Sequence, residues 1–169
     1  MKEMQGNDVI NIYNLLENNN IGTYIDGGWG IDALLGKQTR THADLDIAVQ
    51  HKDILKLREL LRARGYKDAE RADAKDYNFV LSDVNGHEID VHSYTFDSNG
   101  NNIYGIAYPA DSLTGTGTIN GQPVKCIALE WVIKFHENYK PREEDLKDIQ
   151  ALCETFGIKP PENYKNLLK

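Results

Sequence analysis

Cysteine is nearly absent from this chain: Cys126 and Cys153 are the only two in 169 residues, far apart and outside any C-x-x-C spacing. That scarcity excludes a disulfide framework and a cysteine-ligated zinc site, and it fits reduced thiols in a cytosol. Long apolar runs are missing as well. No stretch approaches the roughly 20 apolar residues of a membrane span, and the start, M-K-E-M-Q-G-N-D, has no apolar core of signal-peptide length, so the expectation is a cytoplasmic protein. Basic residues are outnumbered, 19 Lys and Arg against 26 Asp and Glu, and the net charge of −7 argues against a broad nucleic-acid surface and for a protein that handles cations. Internal repeats and low-complexity linkers are also lacking, and with 40% apolar residues the length fits one domain, or one domain with a small appendage.

What is present is concentrated in one stretch. Ile25 to Val49 reads I-D-G-G-W-G-I-D-A-L-L-G-K-Q-T-R-T-H-A-D-L-D-I-A-V, a glycine pair after a short apolar run and two aspartates in D-x-D spacing on a strand-like segment. Alternation along a strand places Asp44 and Asp46 on one face and Leu45, Ile47 and Val49 on the other. Two adjacent carboxylates need a compensating charge, and Mg2+, which takes oxygen ligands and shares them with phosphate, is the natural one. Gly27 and Gly28, placed just before a helix, let backbone N–H groups approach a phosphate at the positive end of the helix dipole. The combination points to nucleotide chemistry.

The remaining elements follow from periodicity and punctuation. Val9, Ile10, Tyr13, Leu15 and Leu16 have helical spacing, with Asn7 as the expected N-cap. A strand is predicted at 21–26, a helix at 29–35 ended by Gly36, a strand at 44–49, and an amphipathic helix at 53–64 stopped by Gly65. Strand-like runs at 66–69, 77–82 and 88–96 follow, the last two flanking Asn85-Gly86, a dipeptide that favours a tight hairpin. Glu88, Asp90 and His92 share one face of the 88–96 strand, so Asp90 supplies a third carboxylate. Residues 108–117 read as irregular, Asn120-Gly121 as a second hairpin turn, and 129–139 and 143–156 as helices.

G-G-W-G-I-D followed by T-R-T-H-A-D-L-D-I, with E-I-D-V-H further on, resembles the small antibiotic nucleotidyltransferases, the lincosamide nucleotidyltransferases and aminoglycoside 2''-adenylyltransferases of the DNA polymerase beta superfamily. The likeness extends loosely to W-V-I-K-F-H-E-N-Y and D-L-K-D-I near the end. The resemblance implies an α+β nucleotidyltransferase fold, a mixed sheet with flanking helices, with residues 1–126 as the core and 127–169 as a helical extension packed on it. It implies ATP as donor, two Mg2+ ions, and transfer of AMP to a hydroxyl of an antibiotic. Asp44 and Asp46 match the metal-binding pair, and Asp90 the third acid, a metal ligand or the base for the attacking hydroxyl. The superfamily's usual Gly-Ser phosphate turn is Gly27-Gly28-Trp29 here, the form these small antibiotic enzymes have.

Around this triad, Arg40 is placed to reach the triphosphate, with a surface arginine as the alternative, and Lys134 to neutralise the β,γ-phosphates, against plain solvation. His42 is a phosphate contact or a loop residue. Glu88 and His92 are expected on the substrate side, His92 orienting Asp90 or serving structure alone. Trp29, His136 and Tyr139 are expected to pack in the core. The expected acceptor is a lincosamide, which carries one amine, with a polycationic aminoglycoside as the alternative. A nucleotidyltransferase acting on a protein partner, and a nucleotide-binding module without turnover, are further readings, and monomer and homodimer are both open.

Overall fold

The computed structural model describes residues 2–168. Helix α1 (Gly6–Asn18) is entered through Gln5, whose N–H donates to Asp8, so the cap lies two residues before Asn7. Strand β1 (Thr23–Ile25) leads through Asp26 into α2 (Gly27–Leu35), which begins two residues before Trp29 because the Asp26 carboxylate caps the Gly27 N–H at 2.8 Å. Gly36, at φ 70°, closes that helix in the left-handed conformation. Strand β2 (Asp44–Gln50), a single 3-10 turn, and α3 (Ile54–Arg62) follow.

Strands β3 (Lys67–Asp68), β4 (Asn78–Ser82), β5 (Glu88–Phe96), β6 (Asn102–Gly105), β7 (Gly115–Ile119) and β8 (Gln122–Cys126) complete the sheet, and α4 (Leu129–Phe135) and α5 (Glu143–Phe156) end the chain's regular structure. The sheet order is β3-β4-β5-β2-β1-β8-β7, with β6 paired to β5 beyond the end of β4. β2 runs parallel to β5 and antiparallel to β1, and β1 runs parallel to β8, so the sheet is mixed. No described helix is long and apolar enough to cross a membrane.

Both faces are covered. Leu45, Ile47, Val49, Ile89 and Val91 pack with Val9, Leu16, Leu57 and Leu61 of α1 and α3. On the other face Ala48 and Tyr94 share a cluster with Ile31 of α2 and with Val132, Ile149, Leu152 and Tyr164. The sequence between residues 127 and 168 therefore contributes half of a core built on the carboxylate face of the sheet.

Three local expectations change. Asn120-Gly121 forms the two-residue turn predicted, both residues at positive φ, but Asn85-Gly86 lies in a five-residue loop between Ser82 and Glu88. There Asp83 accepts N–H groups from Asn85 and His87 at 2.9 Å each, and only Gly86 has positive φ. The irregular stretch ends at Thr114, and Gly115 and Gly117 are strand residues; a Cβ at Gly117 would lie 2.2 Å from the Ala33 carbonyl, so α2 rests directly on β7. The 129–139 helix ends at Phe135 and continues as a 3-10 turn.

Candidate active site

The C-terminal end of β1 and the N-terminal ends of β2 and β5 meet at one edge of the sheet, where α2 begins. The Asp26 N–H donates to the Asp46 carbonyl at 2.9 Å, and the parallel register sets Asp44 opposite Glu88 and Asp46 opposite Asp90. All three expected carboxylates thus stand on one face of two neighbouring strands. Asp46 and Asp90, together with His92, bring one ligand atom each within 4.8 Å of one another, while Asp44 stands one pleat away along β2.

Charge crowding is the main electrostatic feature. Burial, then the neighbouring charges of Asp44 and Asp26, push the Asp46 carboxyl up to about 8. Asp44 is raised by burial and by Asp90 and Glu88. His92 loses solvation, yet its contact with Asp90 and the fields of Asp46 and Asp26 carry it up to about 9. One Asp90 oxygen, Oδ1, is buried without a hydrogen bond, although His92 Nε2 lies 3.3 Å away. A buried carboxylate oxygen that meets only the His92 ring, among clustered acids, is what a hard divalent cation satisfies, and the oxygen donors here suit Mg2+.

The glycine turn sits directly against this cluster. A Cβ at Gly27 would lie 2.1 Å from Asp46 Oδ2, and one at Gly28 would strike His42 Nδ1 and Arg40 Nη2 at 2.4 and 2.7 Å. Glycine is required because the D-x-D strand and the T-R-T-H loop both close on the start of α2. His42 is held by a 2.5 Å bond between its Nε2 and the buried Asp32, and its ring packs at 4.7 Å on Trp29, which is buried as expected. Arg40 reaches the same spot and forks onto α5: Nε lies 3.1 Å from Asp148 Oδ1, and Nη2 2.9 Å from Oδ2.

These groups line one cavity of about 670 Å3, closed on the far side by Phe135, His136, Tyr139, Arg142, Asp145 and Asp148. His136 and Tyr139 therefore face the cavity, contrary to the expectation of core packing. Lys134 is not among the lining residues: it is exposed, with its ammonium 4.2 Å over the Trp131 ring. Glu88 turns to a neighbouring pocket of about 250 Å3, where Arg71 grips both its oxygens.

Sequence reasoning missed Asp26. It joins the site three ways, capping Gly27, accepting the Tyr108 hydroxyl at 2.6 Å, and lying 4.0 Å from His92. An aspartate immediately before a helix start is the N-cap signal that identifies it. The acids of α5 were also missed; Glu144 and Asp148, four residues apart, share the helix face turned toward Arg40.

The family model for aminoglycoside-2''-adenylyltransferase matches residues 8–152. The chain belongs to that family. It is a nucleotidyltransferase. Among its relatives, a lincosamide resistance protein of Staphylococcus haemolyticus is 28% identical over 146 residues, 83% of this chain and 89% of that one. A 2''-aminoglycoside nucleotidyltransferase of Klebsiella pneumoniae is 27% identical over 150 residues, 85% and 82% of the two chains. The lincomycin-bound crystal structure of the lincosamide antibiotic adenylyltransferase LnuA superposes with a TM-score of 0.78 at 25% identity, covering 89% of this chain and 98% of that one.

Proposed function

We propose that this family member transfers AMP from ATP to a hydroxyl of a lincosamide. The observation that carries the reading is the parallel register that sets Asp46 beside Asp90 against the Gly27 turn. The acceptor oxygen attacks the α-phosphorus, the new O–P bond forms in line, and the bond to pyrophosphate breaks. Asp90, whose buried Oδ1 lies 3.3 Å from His92 Nε2, takes the proton of the attacking hydroxyl, steadied by that ring. The start of α2 holds the triphosphate, with Arg40, whose Nε and Nη2 lie on Asp148, beside it. Asp44, Asp46 and Asp90 would hold Mg2+, as two ions, which when bound supplies charge stabilisation to the entering and leaving oxygens.

The choice of acceptor rests on charge. Asp145 is held by Arg142, with Nε–Oδ2 at 3.1 Å, and Asp148 by Arg40, so the wall facing the triad is largely neutralised. Such a wall suits an acceptor with one amine better than a polycation. The relatives named for lincosamides align over 89% and 98% of their own lengths, which supports the same choice. Transfer to the 2'' hydroxyl of an aminoglycoside is the second reading, favoured by the family description and by Glu144 and Asp26 on the lining. A protein acceptor is disfavoured, because a cavity of about 670 Å3 is of small-molecule size.

Incubation with labelled ATP, Mg2+ and separate lincosamide and aminoglycoside panels tests the proposal. Pyrophosphate release with lincosamides alone is the expected result. Release only with aminoglycosides selects the second reading, and release with neither rejects both.

A further inference from the structure

A second recess opens from the main cavity at Asp26, His92 and Phe135. It has a volume of about 360 Å3, and its remaining walls are Ile106, Ala107 and Tyr108. Its polar groups, Asp26 and His92, lie at the end shared with the catalytic cavity, and the rest of its lining is apolar or aromatic. The mechanism proposed above leaves this space without a use.

The wall is rigidly built. The Ile106 N–H donates to the Ser93 carbonyl at 2.8 Å, and Asn102 Nδ2 donates to the Ile106 and Tyr108 carbonyls at 2.7 and 3.0 Å. Tyr108 is buried, its ring meets Phe135 edge-on at 6.1 Å, and its hydroxyl donates to Asp26 with His92 Nδ1 3.2 Å away. A loop fixed at both its backbone and its aromatic tip loses little entropy when a ligand lies against it.

Position decides which substrate the recess serves. The nucleotide side of the site is the Gly28 corner with Arg40 and His42, whereas the recess begins at His92, two residues along β5 from Asp90. We propose that the recess is an acceptor subsite: it takes an alkyl or other apolar substituent of the hydroxylated acceptor, while Asp26 at its mouth receives the acceptor's single ammonium. This inference rests on the lincosamide reading. It adds that the acceptor is selected by an apolar group as well as by its hydroxyls.

The test is a homologous series of lincosamides differing only in the length of one alkyl substituent, assayed by pyrophosphate release with wild type and with Ala107→Leu, whose larger side chain occupies the recess from its exposed wall. In the wild type each added methylene should lower the acceptor KM about fourfold until the recess is full. In A107L that dependence should flatten, the KM for ATP serving as the internal reference. If every homologue is adenylylated with a KM indifferent to chain length, or if A107L leaves the dependence as it was, the subsite is wrong while the lincosamide reading stands. If wild type adenylylates no lincosamide, both fall together.

Discussion

Gly27 carries two constraints at one position. Its φ of +57° lies where side chains are strained, and a Cβ there would collide with the Asp46 carboxylate. Gly27→Ala should therefore cost about 2–4 kcal/mol of stability and, by displacing Asp46, lower AMP transfer at least about a hundredfold. Urea unfolding followed by circular dichroism, with transfer rates on the same preparation, checks both, and a variant with wild-type stability and turnover would contradict the packing described. The need for glycine was legible in the sequence, but its reason was only half so. Phosphate approach explains a glycine pair in general, whereas contact with Asp46, His42 and Arg40 depends on tertiary placement. Lys134 illustrates the converse: helical periodicity puts it on α4 correctly, yet which face of α4 meets the cavity is set by the packing of Val132 and Phe135.

Elements with a strong local pattern were legible, and those defined by partners were not. The D-x-D strand, the 88–96 strand and the amphipathic α3 announce themselves through alternation or a single apolar face. β6 does not, because Ile103 and Tyr104 are exposed and the strand exists only by pairing with β5 past the end of β4. The 83–87 loop, which delivers β5 and hence Asp90 to the site, is held by Asp83. Partial burial works against that carboxylate's charge, but the N–H groups of His87 and Asn85 and the His87 ring prevail and lower its pKa. A depressed folded-state pKa adds stability that is present above the unfolded value, near 3.9, and lost as pH falls through the folded one. Asp83→Ala should thus cost about 1–2 kcal/mol at pH 7, and the deficit should shrink below about pH 3.9. Urea melts at pH 7 and pH 3 measure it, and a deficit unchanged between them would contradict the assignment.

At the scale of the molecule, one side chain ties the nucleotide loop to the C-terminal helices. Arg40, in the connection before β2, forks onto the nearly buried Asp148 of α5, 108 residues away, and comes within 3.9 Å of Glu144. The sequence pointed Arg40 at the triphosphate and had no means of seeing this partner. A double-mutant cycle on Arg40→Met and Asp148→Asn should give a coupling energy of about 1–3 kcal/mol in urea unfolding. Additive effects would mean that the two residues act independently. Resemblance in short motifs carried the family, and the family model over residues 8–152 bears that out; the looser likeness at 131–139 and 145–149 spans His136, Tyr139 and Asp145, but that these residues wall the cavity emerged only from the fold.

AMP transfer requires Asp46 and Asp90 to act together beside the glycine turn. Pyrophosphate release from ATP in the presence of a lincosamide, measured for wild type, Asp46→Asn and Asp90→Asn with melting curves on each, tests it most directly. Steady release by the wild type is expected, with a loss of at least about a thousandfold in both variants and folding retained because asparagine matches aspartate in size. Release at the wild-type rate by either folded variant would contradict it.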